Sequence, residues 1–295
     1  MILALLAATN PLEHVVQHPL VEFGTGFFKF TLLSNHIIMQ VIAAALLLLF
    51  VPRFVRVRAG TDEVGRLVPT GWGNVVEGLC EALRKNVARP ALGPHTDRFV
   101  PYIWTAFFFV LTCNVLGLIP LADWLRPFGL GEVVGGTSTG NIWVTATLAV
   151  CTLLMIVVGG LRTHGMTYVR HFFMGPPGLN VFIAFLDVVG LVAKTFALAV
   201  RLFANMIAGH VMLAVVIAFV AGAAATAGTW GAIGVSIPVI LGAVALNFLE
   251  LFVAFLQAFI FAFLSAMFIG QAVNIHGDHE HTEHDGHTAA TAVTH

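Results

Sequence analysis

Long apolar segments alternate with short polar ones along most of the chain. A helix needs roughly 20 apolar residues to cross a hydrocarbon core about 30 Å thick. The pattern predicts five membrane spans, at about 30–51, 102–121, 142–161, 179–225 and 237–273. The last two are longer than one perpendicular crossing requires, so we expect them to tilt as a hairpin and pack against protein. The sequence therefore predicts an all-α integral membrane protein with a single membrane domain, 1–273.

A different pattern, typical of an amphipathic helix, covers about residues 73–87. Its apolar residues recur every three or four positions, at Val75, Val76, Leu79, Leu83 and Val87. Such a helix lies along the membrane surface, or it covers the other spans as a short cytoplasmic helix. The sequence leaves both interpretations open.

The composition agrees with a bilayer environment. Of 295 residues, 58% are hydrophobic and only 10% are charged, and the mean hydropathy is +0.92. A soluble protein carries about 25% charged residues. The formal net charge of −1 suggests no nucleic-acid partner. The sequence has no Ser-His-Asp arrangement, phosphate-binding glycine loop or nucleotide motif, so we predict no catalytic activity in this chain alone and no cofactor.

Basic residues predict the orientation of the spans. Eight of the 14 Lys and Arg residues fall between positions 52 and 100, and two more fall in the loop 162–178. Cytoplasmic loops carry an excess of Lys and Arg, so both segments are predicted to be cytoplasmic. The N-terminus is then outside, and five crossings return the C-terminus to the cytoplasm.

Apart from their ends, the predicted spans contain five ionisable side chains: Asp187, Lys194, Arg201, His210 and Glu250. Such groups are costly in a membrane and usually mark a pathway for substrate or ions. Arg201 keeps its charge, whereas His210 and Glu250 can exchange protons with water. A fixed cation beside a separate titratable pair suits controlled transfer of a proton or another small cation.

Four polar residues form one stripe on the fourth span. At 100° per residue, Lys194 lies roughly 20° from Arg201 around the helix axis. Asp187 and Asn205 each lie roughly 40° from Arg201. The stripe must face protein, water or a partner, because facing lipid would cost several kcal/mol for the arginine alone.

The last span carries a polar face of its own, on which Glu250 and Gln257 are seven residues apart. His210 lies about 180° from Arg201 and about 13 Å further along the axis. We therefore expect His210 to face a different neighbour from the stripe, such as this last helix.

Structural roles stay open for part of this set. Lys194 either snorkels or pairs with Asp187, and Asn205 and Gln257 are also suited to joining helices by hydrogen bonds. A purely structural Arg201 is disfavoured, because a buried Arg–Glu bridge is an expensive way to join helices.

Two motifs at characteristic spacing resemble a known family. Residues 201–210 (RLFANMIAGH) are similar to the RLFxNMxAGx signature of subunit a, the stator channel subunit of F-type ATP synthases. Residues 256–261 (LQAFIF) are similar to that family's second signature, and residues 114–120 (NVLGLIP) to the end of its second span. Lys194 also lies seven residues before Arg201, as the family's lysine does. The resemblance covers about residues 65–273.

The resemblance implies a mechanism in which two offset aqueous half-channels meet a rotating ring of c subunits. The ring supplies the carboxylate that carries the ion. Arg201 is then the stator arginine, which favours the deprotonated carboxylate and blocks leakage between the half-channels. The resemblance assigns the outer half-channel to Asn205, His210, Glu250 and Gln257. It assigns Asp187 to the inner half-channel and counts Lys194 among the ion-translocation residues.

The same resemblance implies partners and a location. The partners are the c-subunit ring, the b subunits of the peripheral stalk, the remaining ATP synthase subunits and the lipid bilayer. The location is the bacterial inner membrane, and catalysis of ATP synthesis belongs to partner subunits.

The chain departs from the family pattern at several positions. Many bacterial relatives have Glu after NMxAG and His on the last helix, whereas His210 and Glu250 are exchanged here. An acid and an imidazole that face one another can exchange helices and keep the same relay chemistry, so the exchange favours contact between them. The family often has Asp where this chain has Asn141, which removes a carboxylate there.

The C-terminal segment, 274–295, is rich in histidine and carboxylates. Its two interpretations are a disordered soluble tail and a weak site for zinc, nickel or copper. The histidines concerned are His276, His279, His281, His284 and His287. No metal site is predicted elsewhere in the chain.

Two other functions compete with ion translocation by a stator subunit. A secondary cation/proton antiporter also needs charges inside the membrane, but inverted repeats would be expected and the sequence has no internal repeat. A membrane metalloenzyme would need histidine clusters at helical spacing, and the only cluster lies in the tail.

Overall fold

The computed structural model describes residues 19–23, 30–56, 71–119, 121–125, 127, 129, 138–172 and 179–274. By length and composition, five helices in these ranges can cross a membrane: Asn35–Arg53, Trp72–Leu118, Ile142–His164, Asn180–Val216 and Gly228–Val273. The predicted fold class, a helical membrane protein with about five spans, is confirmed. The histidines of the tail lie outside the described residues.

The first spanning helix, Asn35–Arg56, begins later than predicted. We expected the span to start near residue 30, but Phe30–Ser34 is a strand paired antiparallel with the strand Pro19–Phe23. Periodicity alone does not distinguish strand from helix in a short apolar run. The Asn35 side-chain oxygen accepts a hydrogen bond from the backbone N–H of His36 at 3.0 Å. Such local bonds favour a helix start.

The amphipathic segment is longer and less regular than predicted. The helix Trp72–Leu83 continues through the π-helical turn Arg84–Ala88 into the short helix Arg89–Leu92. A 3-10 turn, Gly93–His95, follows. Gly93 has a φ of 54°, which glycine adopts without the penalty that a Cβ imposes.

One face of this segment packs on the bundle. Leu83, Val87 and Leu92 are buried, and they belong to the main hydrophobic core. The Trp104 indole N–H donates a hydrogen bond to the Cys80 carbonyl at 2.9 Å. The segment therefore covers the other helices, which is one of the two interpretations that the sequence left open.

The second spanning helix, Thr96–Leu118, also differs from the prediction at both ends. The predicted start at residue 102 was too late, because Asp97 and Pro101 lower the hydropathy and resemble a loop. Both residues lie in the first turns of this helix. It ends two residues before Pro120, because a proline disfavours helical backbone in the residue that precedes it.

The third spanning helix, Ile142–His164, agrees closely with the predicted span 142–161. Asn141 caps it, since the Asn141 side-chain oxygen accepts a hydrogen bond from the backbone N–H of Trp143 at 2.9 Å. Substituting an N-cap residue typically costs about 1 kcal/mol. The position where the family often has Asp is therefore a capping position here. The shorter elements near this helix are Leu121–Leu125, Ser138–Gly140 and Met166–Phe172.

The last two predicted spans form one helical hairpin, Asn180–Val273. Only Gly228, at φ 66°, breaks the helical backbone. We therefore name residues 180–227 the first arm and residues 228–273 the second arm. The predicted gap at 226–236 was too wide, because the sequence around Gly228 is rich in alanine, a strong helix former.

Small residues and polar contacts fix the second arm against the bundle. Gly270 meets the backbone carbonyl of Ala91 so closely that a Cβ would collide with it. The Asn274 side chain donates a hydrogen bond to the same carbonyl at 3.2 Å. His164 Nε2 lies 2.6 Å from the Val273 carbonyl oxygen, to which it donates. The end of the second arm is thus held by two other segments of the chain.

Candidate functional site

The two arms of the hairpin run antiparallel and are joined by polar side chains. The Lys194 ammonium donates a hydrogen bond to Gln271 Oε1 at 2.9 Å. The Asn205 amide donates one to Gln257 Oε1 at 2.7 Å. Residue numbers rise along one arm as they fall along the other. The predicted polar residues are therefore distributed over several levels along the hairpin instead of forming one cluster.

Glu250 lies against Gly209 of the first arm. A Cβ at Gly209 would overlap the Glu250 carboxyl group, so only glycine permits this close approach. Glu250 is half-buried, and its Oε1 atom is buried. Glu250 of the second arm therefore contacts the first arm at Gly209.

His210 follows this contact directly and is half-buried. A pairing of His210 with Glu250 stays a prediction. Two observations favour this pairing. The acid and the imidazole are exchanged between the two helices relative to many relatives, and the contact of Glu250 with Gly209 brings Glu250 next to the residue that precedes His210.

A small cavity of about 10 Å³ lies between the arms and the second spanning helix. Its polar lining consists of Asn114, Asn205, Glu250 and Gln257. A cavity of this size holds about one water molecule. Three of the four predicted outer half-channel residues therefore share this cavity.

A larger cavity of about 260 Å³ lies farther from the turn of the hairpin at Gly228 than the small cavity does. Asp187 and Lys194 of the first arm and Gln271 of the second arm line it, together with Tyr168 and Phe268. Burial raises the pKa of the Tyr168 phenol, so this group stays neutral near pH 7. The cavity has room for several water molecules.

Lys194 is held by the second arm. Besides its bond to Gln271, its ammonium group lies 5.4 Å from the centroid of the Phe268 ring, a distance at which a cation is attracted to an aromatic face. Within the described ranges no ion pair joins Lys194 to Asp187. The pairing weighed from the sequence is therefore absent there.

Along the first arm, Arg201 lies between the residues that line the two cavities, and it is exposed. It is about 10 Å along the helix axis from Lys194 and about 6 Å from Asn205. Among the residues that the structure describes, none forms a hydrogen bond or ion pair with its guanidinium group. The exposed residues Ala197, Ala204 and Ala208 lie on the same face of the first arm. Arg201 therefore projects from a flat face of small side chains.

Sequence reasoning gave no role to two residues of these cavities. The sequence places Asn114 within the motif at 114–120, and no predicted role falls on Gln271. The signal for Asn114 is a polar amide in an otherwise apolar span, which is uncommon without a partner. The signal for Gln271 is its spacing of 14 residues from Gln257, which places both within about 40° on one helix face.

No group of three or more His, Cys, Asp or Glu side chains in the described part of the chain is arranged to hold a metal ion. The histidine-rich tail falls outside that part, so its weak metal site stays a prediction.

The fold and these cavities define a multi-pass helical membrane protein with ionisable groups inside its spans. Residues 37–270 match the family described as ATP synthase A chain. The chain therefore belongs to the ATP synthase A chain family.

Several bacterial relatives named ATP synthase subunit a are similar to this chain over most of its length. One from Chlorobium phaeobacteroides is 35% identical over 277 residues, which are 92% of this chain and 72% of the relative. One from Chloroherpeton thalassium is 38% identical over 92% of this chain and 76% of its own length. One from Myxococcus xanthus is 39% identical over 84% of this chain and 76% of its own length.

Proposed function

We propose that this chain is the proton-translocating stator subunit of a rotary ATP synthase, in which Arg201 couples ion flow to rotation. The observation that carries this proposal is the exposed Arg201 guanidinium between two separate polar cavities of one hairpin. Membership of the ATP synthase A chain family and the names of the relatives support it.

The two cavities correspond to two half-channels that do not join. Asn205, Glu250 and Gln257 line the outer one, and His210 belongs beside them. Asp187 and Lys194 line the inner one. Lys194 and Asn205 are about 16 Å apart along the axis. A proton that enters one half-channel therefore needs a carrier to reach the other.

The carrier is a carboxylate on a partner, the ring of c subunits. An unpaired arginine facing lipid costs several kcal/mol, so the exposed face around Arg201 requires a partner or water. The alanines at 197, 204 and 208 allow another helix to approach closely, as small residues do at helix interfaces in membranes. Arg201 then attracts the deprotonated carboxylate and blocks direct passage of protons between the half-channels.

The remaining parts of the complex lie outside this chain. ATP synthesis is catalysed by partner subunits, and the b subunits of the peripheral stalk hold this subunit stationary against the ring. The excess of basic residues between positions 52 and 100 supports a cytoplasmic location for that segment. The N-terminus is then outside and the C-terminus inside the bacterial inner membrane.

Passive proton flux through the assembled membrane sector tests this function. We would compare wild type, Glu250→Gln and the control Glu77→Gln in vesicles stripped of the catalytic head and energised by a potassium diffusion potential. Glu77 is exposed on the segment Trp72–Leu83. Removing the titratable group at 250 is expected to lower flux by roughly a hundredfold or more, the scale of lost general acid–base catalysis, while Glu77→Gln conducts like wild type.

Wild-type flux through an assembled Glu250→Gln complex would overturn the proposed outer half-channel. Cation/proton exchange by vesicles that contain this chain without the ring would favour the antiporter instead. Co-purification of the ring with each variant separates loss of transport from loss of assembly.

A further inference from the structure

Three exposed cations lie where the amphipathic segment joins the second spanning helix. Lys85, Arg89 and Arg98 are exposed, and none of them forms an ion pair with another residue in the described part of the chain. Nearby, Arg84 donates a hydrogen bond to Asp97. Because Lys85 follows Arg84 and Arg98 follows Asp97, this bond brings Lys85 and Arg98 to adjoining positions. We name Lys85, Arg89 and Arg98 the basic patch.

Neighbouring acids leave the basic patch uncompensated. Glu81 lies one helical turn before Lys85, a spacing at which opposite charges attract on a helix, but the two form no ion pair within the described ranges. The Arg98 guanidinium lies instead 5.6 Å from the centroid of the Phe99 ring, an attraction that neutralises no charge. The patch therefore presents positive charge to a partner outside the described residues.

The C-terminal segment begins beside the basic patch. The Asn274 side chain donates a hydrogen bond to the Ala91 carbonyl at 3.2 Å, and Ala91 lies two residues after Arg89. Along the axis of a helix, the six residues from Lys85 to Ala91 span about 9 Å. The chain after Asn274 therefore starts within a short distance of all three cations.

The residues that follow Asn274 carry the opposite charge. Between positions 275 and 295 the sequence has no Lys or Arg, and it has four acids: Asp278, Glu280, Glu283 and Asp285. Histidine side chains in water are mostly neutral at about pH 7.5, so this segment is negative. A fully extended chain covers at most about 14 Å in the four residues from Asn274 to Asp278 and about 40 Å in the eleven to Asp285. The basic patch lies within reach of these carboxylates.

We propose that residues 278–285 dock on the basic patch of the same chain, through ion pairs from their carboxylates to Lys85, Arg89 and Arg98. Each exposed ion pair contributes little by itself. The covalent tether compensates, because it holds the carboxylates near the patch at an effective concentration in the millimolar range. A free acidic partner lacks this advantage.

This inference goes beyond the proposed function and does not depend on it. The hydrogen bond between Asn274 and Ala91 places the C-terminal segment and the basic patch together, whatever ion the protein transports. The contact closes one positive surface with a segment that the ion path does not use.

Zero-length cross-linking of the full-length chain, purified with its partner subunits, tests the contact. A water-soluble carbodiimide joins an amine to a carboxylate that touches it, and Lys85 is the only lysine of the basic patch. The reaction is run in phosphatidylcholine nanodiscs at about pH 7.5, where the histidines are mostly neutral. The carboxylate-free chelator TPEN removes metal ions from the histidines. Mass spectrometry is expected to find Lys85 joined to one or more of the four acids between 278 and 285.

The double variant Arg89→Gln/Arg98→Gln tests whether charge holds the segment in place. It keeps Lys85 and every carboxylate, so the cross-linking chemistry is unchanged. Loss of two exposed ion pairs is expected to lower the yield about fivefold. The matched control, Arg53→Gln/Arg170→Gln, removes two exposed cations from other helices and is expected to react like wild type.

Four results would overturn the proposal. Equal yields in wild type and Arg89→Gln/Arg98→Gln would mean that the tether alone brings the groups together. A lower yield in the control than in Arg89→Gln/Arg98→Gln would place the segment on other cations. Absence of the cross-link, or cross-links from Lys85 to a partner subunit in its place, would mean that the segment does not occupy the patch.

Anionic lipid is the competing occupant, since clusters of Lys and Arg beside membrane helices also bind lipid headgroups. Replacing about a third of the phosphatidylcholine by phosphatidylglycerol tests this competition. Docking by the tethered segment predicts a yield within about twofold of that in phosphatidylcholine. Loss of the cross-link in these nanodiscs would assign the basic patch to lipid headgroups and would contradict the proposal.

Discussion

At the scale of single residues, the missing side chain of Gly209 allows Glu250 its position. The carboxyl group packs where a Cβ would otherwise lie. Glycine normally costs a helix about 1 kcal/mol relative to alanine. Glycine at position 209 is therefore explained by the space that Glu250 needs and not by its helix propensity.

Gly209→Ala is predicted to displace Glu250 and to lower proton flux, although alanine favours the helix. Overpacking a tight site costs about 1–3 kcal/mol, which exceeds the gain in propensity. The measurement is passive flux through the assembled complex. Gly222→Ala, on the same arm with open space around it, is the control and should conduct like wild type. Equal flux in both variants would contradict the predicted contact.

The Asn205–Gln257 hydrogen bond is predicted to couple the two arms energetically. A double-mutant cycle with Asn205→Ala and Gln257→Ala should give a coupling energy of about 1 kcal/mol in the thermal stability of the purified chain. Strictly additive effects would mean that the two amides do not depend on each other.

Sequence periodicity predicted much of the candidate site, but not its pairings. The stripe of Asp187, Lys194, Arg201 and Asn205 follows from one helix and the angle between its residues. Which residue of the stripe contacts the second arm depends on the register between the arms. The periodicity of a single helix does not determine that register. The bond of Lys194 to Gln271 was therefore missed.

At the scale of elements, the hairpin is held where small residues let backbones meet. Gly270 of the second arm lies against the Ala91 carbonyl, and Asn274 donates to the same atom. Because Gln271 follows Gly270 directly, this contact also fixes the level at which Lys194 finds its partner.

Gly270→Ala is predicted to destabilise the chain, because its Cβ collides with a backbone atom that cannot rotate away. The expected loss is roughly 1–3 kcal/mol, measured as a lower midpoint of thermal denaturation in detergent. Gly242→Ala on the same arm meets no neighbouring atom and should be neutral or slightly stabilising. A Gly270→Ala variant as stable as the control would contradict the close approach.

Hydropathy predicted the number of spans correctly, because a bilayer sets a minimum apolar length for every crossing helix. The boundaries were harder to predict for local reasons. Residues 30–34 are apolar enough for a helix but form a strand, Asp97 and Pro101 suggested a loop inside a helix, and a single glycine, Gly228, turns the hairpin.

At the scale of the whole molecule, the packing of the helices positions the face of the first arm that carries Arg201. The second and third spanning helices and residues 72–92 pack against the hairpin, and both of its arms contribute residues to the main hydrophobic core. Polar pairs join the two arms to each other. The first arm then exposes Arg201 on its other side. The proposed stator function requires this arrangement, because a charge that moved with the partner ring would transmit no force.

ATP-driven proton pumping by vesicles carrying Arg201→Ala, beside wild type, tests the central claim most directly. Assembly is checked by co-purification of the ring, and Lys85→Ala, which removes an exposed cation outside the hairpin, is the control. We predict that the Arg201→Ala complex assembles and pumps no protons, while the control pumps like wild type. Pumping at the wild-type rate by assembled Arg201→Ala would show that the ion path runs elsewhere and would contradict the role assigned to Arg201.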